Sequence, residues 1–345
     1  MPVPRGRARP VLFLLFLAPL IAEVLWGTTT VTESAGYFAQ VGLYGGGAVL
    51  VREVARRWGA GWISILLLGA AYGAIEEGLL EPTWFTPALQ SHPYGVAFGV
   101  FWTYAAFNIG YHAVFSIAIP ILLTELAFPA WRDKPWLGRA GLSVVGAVYA
   151  VNAAGIGLLW YTVLQRSVYH VPARVHPAQQ AAAVALVIAL IAAARLAAPA
   201  ATFTLGGPPP PAAGRLAGAA ALGAAAWFGL LLVSGSGNHL RWLPFPVPIA
   251  VAAAEVALAA WSLRRWSART DLQVLAACSG ALTVQMAAGF GVTGLAGPVN
   301  IIGKAILNVI AVCLLAWFAR RLHRREARTQ YPHVAVAGHG SAMSD

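Results

Sequence analysis

Apolar residues run through this chain in stretches of roughly twenty, each closed by a short group of Arg, Pro, Gly or Asn. A helix rises about 1.5 Å per residue, so about 20 apolar residues cross the hydrocarbon of a bilayer. Ten stretches fit: 10–27, 37–55, 61–80, 101–128, 138–162, 179–198, 215–234, 246–264, 272–292 and 300–319. The pattern predicts an all-α, polytopic transmembrane helix bundle of about ten spans, with little chain left for a soluble domain. A Pro- and Gly-rich linker at 199–214 cannot continue a helix. It divides the expected fold into a six-span N-terminal bundle (1–198) and a four-span C-terminal bundle (215–328). The tail, 329–345, has no amphipathic pattern and is expected to be disordered.

Composition agrees with the pattern. Charged residues make up 10% and hydrophobic ones 59%, with a mean hydropathy of +0.69, whereas soluble domains carry about 25% charge. The net charge of +11 invites a nucleic-acid partner, but the arginines sit singly or in small groups at the ends of the apolar stretches. That placement follows from topology and from attraction to anionic headgroups, so the expected partner is the lipid bilayer and no nucleic acid.

With the N-terminus inside, Arg5, Arg7, Arg9, Arg52, Arg56, Arg57, Arg132, Lys134, Arg139, Arg195 and the run from Arg320 to Arg328 all fall on the inner face. Only Arg166, Arg174 and Arg241 remain outside. The bias predicts cytoplasmic termini, and the Arg- and Ala-rich composition suggests a bacterial inner membrane. The first stretch lacks a small-x-small cleavage site and contains Glu23, so an uncleaved span is expected. Cys278 and Cys313 read as packing residues.

Ionisable groups inside hydrocarbon cost several kcal/mol and mark places where something must pair with them. In the third stretch, Gly69, Gly73, Glu77 and Glu81 recur every four residues with Glu76 alongside, so one helix face passes from close-packing glycine to carboxylate. Glu77 falls roughly 7 Å below the outer end, and Glu23 of the first stretch falls at a similar depth. The fourth stretch carries Asn108, His112, Ser116, Pro120 and Thr124 at the same spacing. Pro120 has no amide hydrogen, which frees a carbonyl within this stripe. Gly42 and Gly46, Gly69 and Gly73, and Gly214 and Gly218 form small-xxx-small pairs that predict tight helix contacts.

Three readings of Glu23, Glu76, Glu77, Asn108, His112 and Ser116 are open: a satisfied structural cluster, a metal-dependent hydrolytic site, or a proton or cation pathway. A second set lies in the C-terminal half. Asn300, Lys304 and Asn308 share one face of the last stretch, and Glu255 and Gln285 fall at comparable depth. A buried Lys304–Glu255 pair is expected there, with a substrate or ion site as the alternative. Arg52, Glu53 and Glu125 are expected to pair with one another or with headgroups at the inner side.

The stretches "LYGGGAVLVREVARRWGAGW", "LLGAAYGAIEEGLL" and "YHAVFSIAIPILLTELAFP" resemble a group of uncharacterised bacterial polytopic membrane proteins. The Glu76-Glu77 pair, with His112 following 35 residues after Glu77, is similar to a pattern in the CPBP (CAAX protease and bacteriocin-processing) intramembrane proteases. That resemblance implies a catalytic role for Glu76, Glu77 and His112, with a divalent metal as cofactor only if a protease-like chemistry operates. Glu81 stands where that family usually carries Arg, Asn108 where it carries Phe, and Val148 where it carries a second His. The sequence therefore predicts a membrane protein with an intramembrane Glu/His site, distantly protease-like. A proton- or cation-coupled transporter and a non-catalytic scaffold are the alternatives. Glu76, Glu77 and His112 are the candidate catalytic residues, and Glu23, Asn108, Ser116, Glu255, Lys304 and Asn308 the candidate binding residues.

Overall fold

The computed structural model describes residues 7–89, 94–168, 170, 175–197, 209–233, 243–265 and 269–330. Most of the 199–214 linker, the tail beyond 330, and Arg5, Arg174 and Arg241 lie outside them. Ten long helices carry the fold among the described residues. Helix α1 runs Ala8–Pro19 and continues as Leu20–Val24, and α2 runs Tyr37–Gln40, Val41–Gly45 and Gly46–Arg57. Then come α3 (Trp62–Leu80), α4 (Trp102–Ala127), α5 (Arg139–Val168) and α6 (Pro177–Ala197). Helix α7 runs Ala213–Trp227 and Phe228–Val233, followed by α8 (Pro246–Arg265), α9 (Asp271–Thr293) and α10 (Pro298–Gln330).

Seven of these, α3 to α7, α9 and α10, are each long and apolar enough to cross a membrane. Contacts at the helix ends show how they alternate. Arg7 of α1 lies over Trp131, Arg57 at the end of α2 donates to the Leu137 carbonyl before α5, and Arg195 at the end of α6 lies over Trp58. Arg132 pairs with Asp271 at the start of α9, and Glu326 of α10 accepts from the Leu272 amide. At the opposite end, Gln179 of α6 reaches Gly99 ahead of α4, and Thr293 of α9 reaches Gly27 beyond α1. The protein is a polytopic helical membrane bundle.

Local chemistry sets the helix ends. Helix α9 opens with a capping box, in which Thr270 and Gln273 each satisfy the other's backbone amide. Pro298 opens α10, where its fixed φ suits a first turn and its missing amide costs nothing. Ahead of α4, a short ribbon pairs β1 (Val96–Ala97) with β2 (Val100–Phe101) in antiparallel register. Phe98 and Gly99 at its tip both have positive φ, as a two-residue hairpin whose twist matches its strands requires.

Helices α3 and α4 form the centre, 61% and 72% buried over their apolar windows, whereas α5 and α10 are 11% and 6% buried and turn most of their surface outward. Two glycines explain the central contact. A Cβ at Gly69 would meet the Ala113 Cα at 2.9 Å, and one at Gly73 would meet His112 Cβ at 2.9 Å, so only glycine lets α3 lie against α4 at this register. Gly42 likewise packs on Asn152. The expected tight contact at Gly214 and Gly218 is not made, because an added Cβ at either would meet nothing within 4 Å. Those two glycines lie on a face of α7 turned away from the bundle.

Candidate functional site

Six segments among the described residues have wide, π-helical turns: Leu20–Val24, Val41–Gly45, Glu76–Leu80, His112–Ala118, Trp160–Val168 and Phe228–Val233. The first four contain Glu23, Tyr44, the Glu76-Glu77 pair and His112. Wide turns arise where a side chain or a missing amide interrupts the backbone ladder, and they release carbonyls and re-aim side chains. Two of them have such a cause nearby. The Ile21 carbonyl accepts from Gln285 Nε2 at 2.8 Å, and the Ala22 carbonyl accepts from Tyr111 Oη at 2.5 Å. The turn at His112 ends just before Pro120, which sits in the first turn of the resumed α-helix.

These turns bring the acids to one place. His112 Nε2 lies 3.3 Å from Glu77 Oε1, and Nδ1 lies 3.1 Å from Ser116 Oγ. Glu76 Oε2 approaches the same Nδ1 at 3.3 Å but outside hydrogen-bond alignment, which leaves that oxygen buried without a hydrogen bond. Tyr44 donates to Glu76 Oε1, Thr83 to Glu77 Oε2 and Thr28 to Glu23 Oε2. Glu23 stands near enough to interact electrostatically with His112 and Glu77. The imidazole stacks on the Tyr44 ring at 6.2 Å and lies edge-on to Tyr111 at 5.5 Å.

A cavity of about 400 Å³ opens beside this cluster, at the end of the bundle opposite the arginines. Glu23, Glu76, Glu77 and Glu81 line it together with Tyr44 and Gln40, and Thr83, Thr86 and Leu89 close it from the segment after α3. Phe101 and Tyr104 of the α4 entry and Ile156 and Trp160 of α5 form the remaining wall. Glu81 lies just past the end of α3. Burial, reinforced by the charges of Glu76 and Glu77, holds its carboxyl well above the usual carboxylate range.

Glu23, Glu76, Glu77, His112 and Ser116 thus come together. Asn108, one turn before His112, is buried, and its Nδ2 has no hydrogen-bond partner. The C-terminal residues go elsewhere. Lys304 Nζ donates to the Leu25 carbonyl at 2.7 Å rather than pairing with Glu255, whose carboxylate rests against Gly223 of α7. The carbonyl end of α1 is a natural seat for an ammonium, since the helix dipole points its negative end there. Asn308 Nδ2 reaches the Met286 carbonyl at 3.3 Å, and Asn300 bonds Thr32. Lys304 and Gln285 therefore grip the α1 segment that presents Glu23. Tyr44, Thr28 and Thr83 went unnoticed in the sequence. Tyr44 alone left a signal, as a hydroxyl between glycines in "GLYGGG".

Among the described residues, no three His, Cys, Asp or Glu side chains are arranged to hold a metal ion. The carboxylate oxygens point instead to separate donors: Thr28, Tyr44, Thr83 and His112. Fold and site together define a multi-span membrane protein built around a buried Glu/His network. The chain belongs to an uncharacterized membrane protein family, whose model matches residues 12–325. No curated protein and no solved structure matches it.

Proposed function

We propose that the protein is a membrane carrier that binds a cation at the Glu23, Glu76, Glu77, Glu81 and His112 site and exchanges it against protons. One observation carries this reading. Four carboxylates line one cavity with no Lys or Arg among the described lining residues, and the hydroxyls of Thr28, Tyr44 and Thr83 are already engaged as donors to them. A cavity so rich in acceptors takes up positive charge. Four crowded carboxylates attract whatever positive charge reaches them, so cation and proton compete for the same groups. Glu77 is the more accessible of the central pair, its side chain 14% exposed against 5% for Glu76, so a ligand reaches it first.

On this reading both termini lie in the cytoplasm of a bacterial inner membrane and the cavity faces outward, an orientation that the arginine-rich end supports. On this reading, residues 1–198 form the site-bearing bundle and 215–328 a supporting one.

The test is proton movement in proteoliposomes loaded with a pH dye, driven by gradients of Na+, K+ or benzyltrimethylammonium. Glu77→Gln is expected to abolish it in a protein that still folds. Flux that persists unchanged in that variant refutes the assignment. A second reading, hydrolysis of a peptide bond within the membrane, is favoured by one observation: the unengaged Asn108 Nδ2 beside His112 is a donor free to hold an oxyanion, with Glu77 as the base. Cleavage of a transmembrane peptide that is lost in both Asn108→Ala and Glu77→Gln, without cation-driven flux, would establish it instead.

A further inference from the structure

The cavity has two unlike walls, and their combination restricts what fits. We propose that its ligand is an organic cation, an ammonium group carried on an aromatic or branched apolar body, with the charge against Glu76 and Glu77 and the body against Trp160, Tyr104 and Phe101. This rests on the carrier reading above and names the substrate class.

A bare metal ion needs several oxygens converging at about 2.0–2.6 Å. Here Glu23, Glu76 and Glu77 are each turned toward a separate donor, so their oxygens stand apart. A bulky ammonium presents a diffuse charge that needs no such convergence and is attracted by carboxylates and by the faces of aromatic rings. The volume of about 400 Å³ is that of a small-molecule site rather than an ion cage. Phe101 and Tyr104 stack at 5.3 Å with an interplanar angle of 20°, which fixes a flat apolar wall. Trp160 is 3% exposed and faces the same cavity from α5. Glu76 Oε2 supplies the second pointer to a ligand: a buried carboxylate oxygen in the cavity wall that accepts no hydrogen bond, with His112 Nδ1 at 3.3 Å but out of alignment.

The experiment is equilibrium binding of radiolabelled benzyltrimethylammonium to the full chain in detergent, with its neutral isostere neopentylbenzene and NaCl as competitors. Saturable binding is expected. Glu77→Gln should weaken it at least tenfold, Glu81→Gln more mildly, and Trp160→Leu by about three- to tenfold, the range a lost cation–π contact gives. Neopentylbenzene and NaCl should compete poorly. Absence of saturable binding to the folded protein, equal competition by the neutral isostere, or an unchanged affinity in Trp160→Leu overturns the proposal. Glu81→Gln, at the helix end rather than inside it, keeps the acid requirement testable if Glu77→Gln fails to fold. The two readings fail separately: sodium-driven proton flux without benzyltrimethylammonium binding sinks only the substrate class, whereas saturable binding without any flux sinks only the carrier.

Discussion

In the cluster around Arg52, two acids meet three arginines; around the cavity, four acids meet one imidazole among the described residues. Arg52 is fully buried and donates to Glu125 at 3.0 Å, to Glu53 at 3.2 Å and to the carbonyls of Trp131, Arg132 and Lys134 at 2.8–3.0 Å. Its guanidinium lies 3.4 Å over the Trp136 ring. Arg56 chelates Glu125 through two nitrogens, and Glu53 accepts from Arg57 and from the amides of Trp136 and Leu137. Every charge there is answered, so the cluster clamps α2 and α4 to the segment between α4 and α5 and leaves nothing for a ligand. Near the cavity the same residue type is crowded around a single imidazole, and one carboxylate oxygen accepts no hydrogen bond. The contrast teaches that a buried acid by itself does not mark a site. What marks one is the shortfall between the charges a fold buries and the partners it supplies.

The largest effect should come from breaking the satisfied region. Arg52→Met leaves Glu53 and Glu125 short of a partner and three carbonyls without a donor. Removing one member of a buried charge network costs about 3–5 kcal/mol. The variant is expected to unfold at much lower denaturant in detergent than the wild type, if it accumulates at all. A conservative change at the cavity, Glu77→Gln, should cost far less stability while removing flux. Equal destabilisation by the two substitutions would erase the distinction drawn here.

A smaller effect should appear with pH. The Glu81 carboxyl is held well above its ordinary value by burial, then by the charges of Glu76, Glu77 and Glu23, against which His112 acts in the opposite sense. The folded state therefore keeps a proton that the unfolded state loses. This contribution to stability is fully present below the ordinary glutamate pKa of about 4.3 and is lost as pH rises through the raised folded value. Unfolding midpoints should fall with rising pH across that window, and the slope should flatten in Glu81→Gln. A saturating organic cation should flatten it too, by replacing the proton. Midpoints that track pH identically in wild type and Glu81→Gln would show that Glu81 is not a titrating member of the acid group.

Much of this was legible in the sequence, for reasons tied to period and charge. Ten apolar stretches gave ten helices, and the four-residue spacing of Gly69, Gly73 and Glu77 placed glycine against α4 and carboxylate at its end. Glu77 and His112 met as their depths required. Three things could not be read. The wide turns depend on donors such as Gln285 and Tyr111 that arrive from other helices, so no local pattern announces them. Lys304 found a helix carbonyl instead of Glu255, because similar depth does not fix which way a helix faces. The aromatic wall at Trp160 is not distinguishable in sequence from an interfacial belt, since burial against a cavity and burial at a headgroup have the same signature.

Glycine gives the finest test, because α3 and α7 carry the same small-xxx-small spacing with opposite surroundings. Gly73→Ala would drive a methyl to 2.9 Å of His112 Cβ, an atom fixed to the α4 backbone, so the helices must separate. Overpacking of this kind costs about 1–3 kcal/mol. The same shift carries His112 away from Glu77, so cation binding should weaken along with stability. Gly218→Ala meets nothing, and replacing a helical glycine gains up to about 1 kcal/mol from helix propensity alone, less where the bilayer already enforces the helix. Its unfolding midpoint should stay level or rise slightly, with binding unchanged. If Gly218→Ala instead lost stability, α7 would have to meet a surface outside the described residues at that face. If Gly73→Ala were silent, the close approach of α3 to α4 that holds the imidazole between its two carboxylates would not be needed.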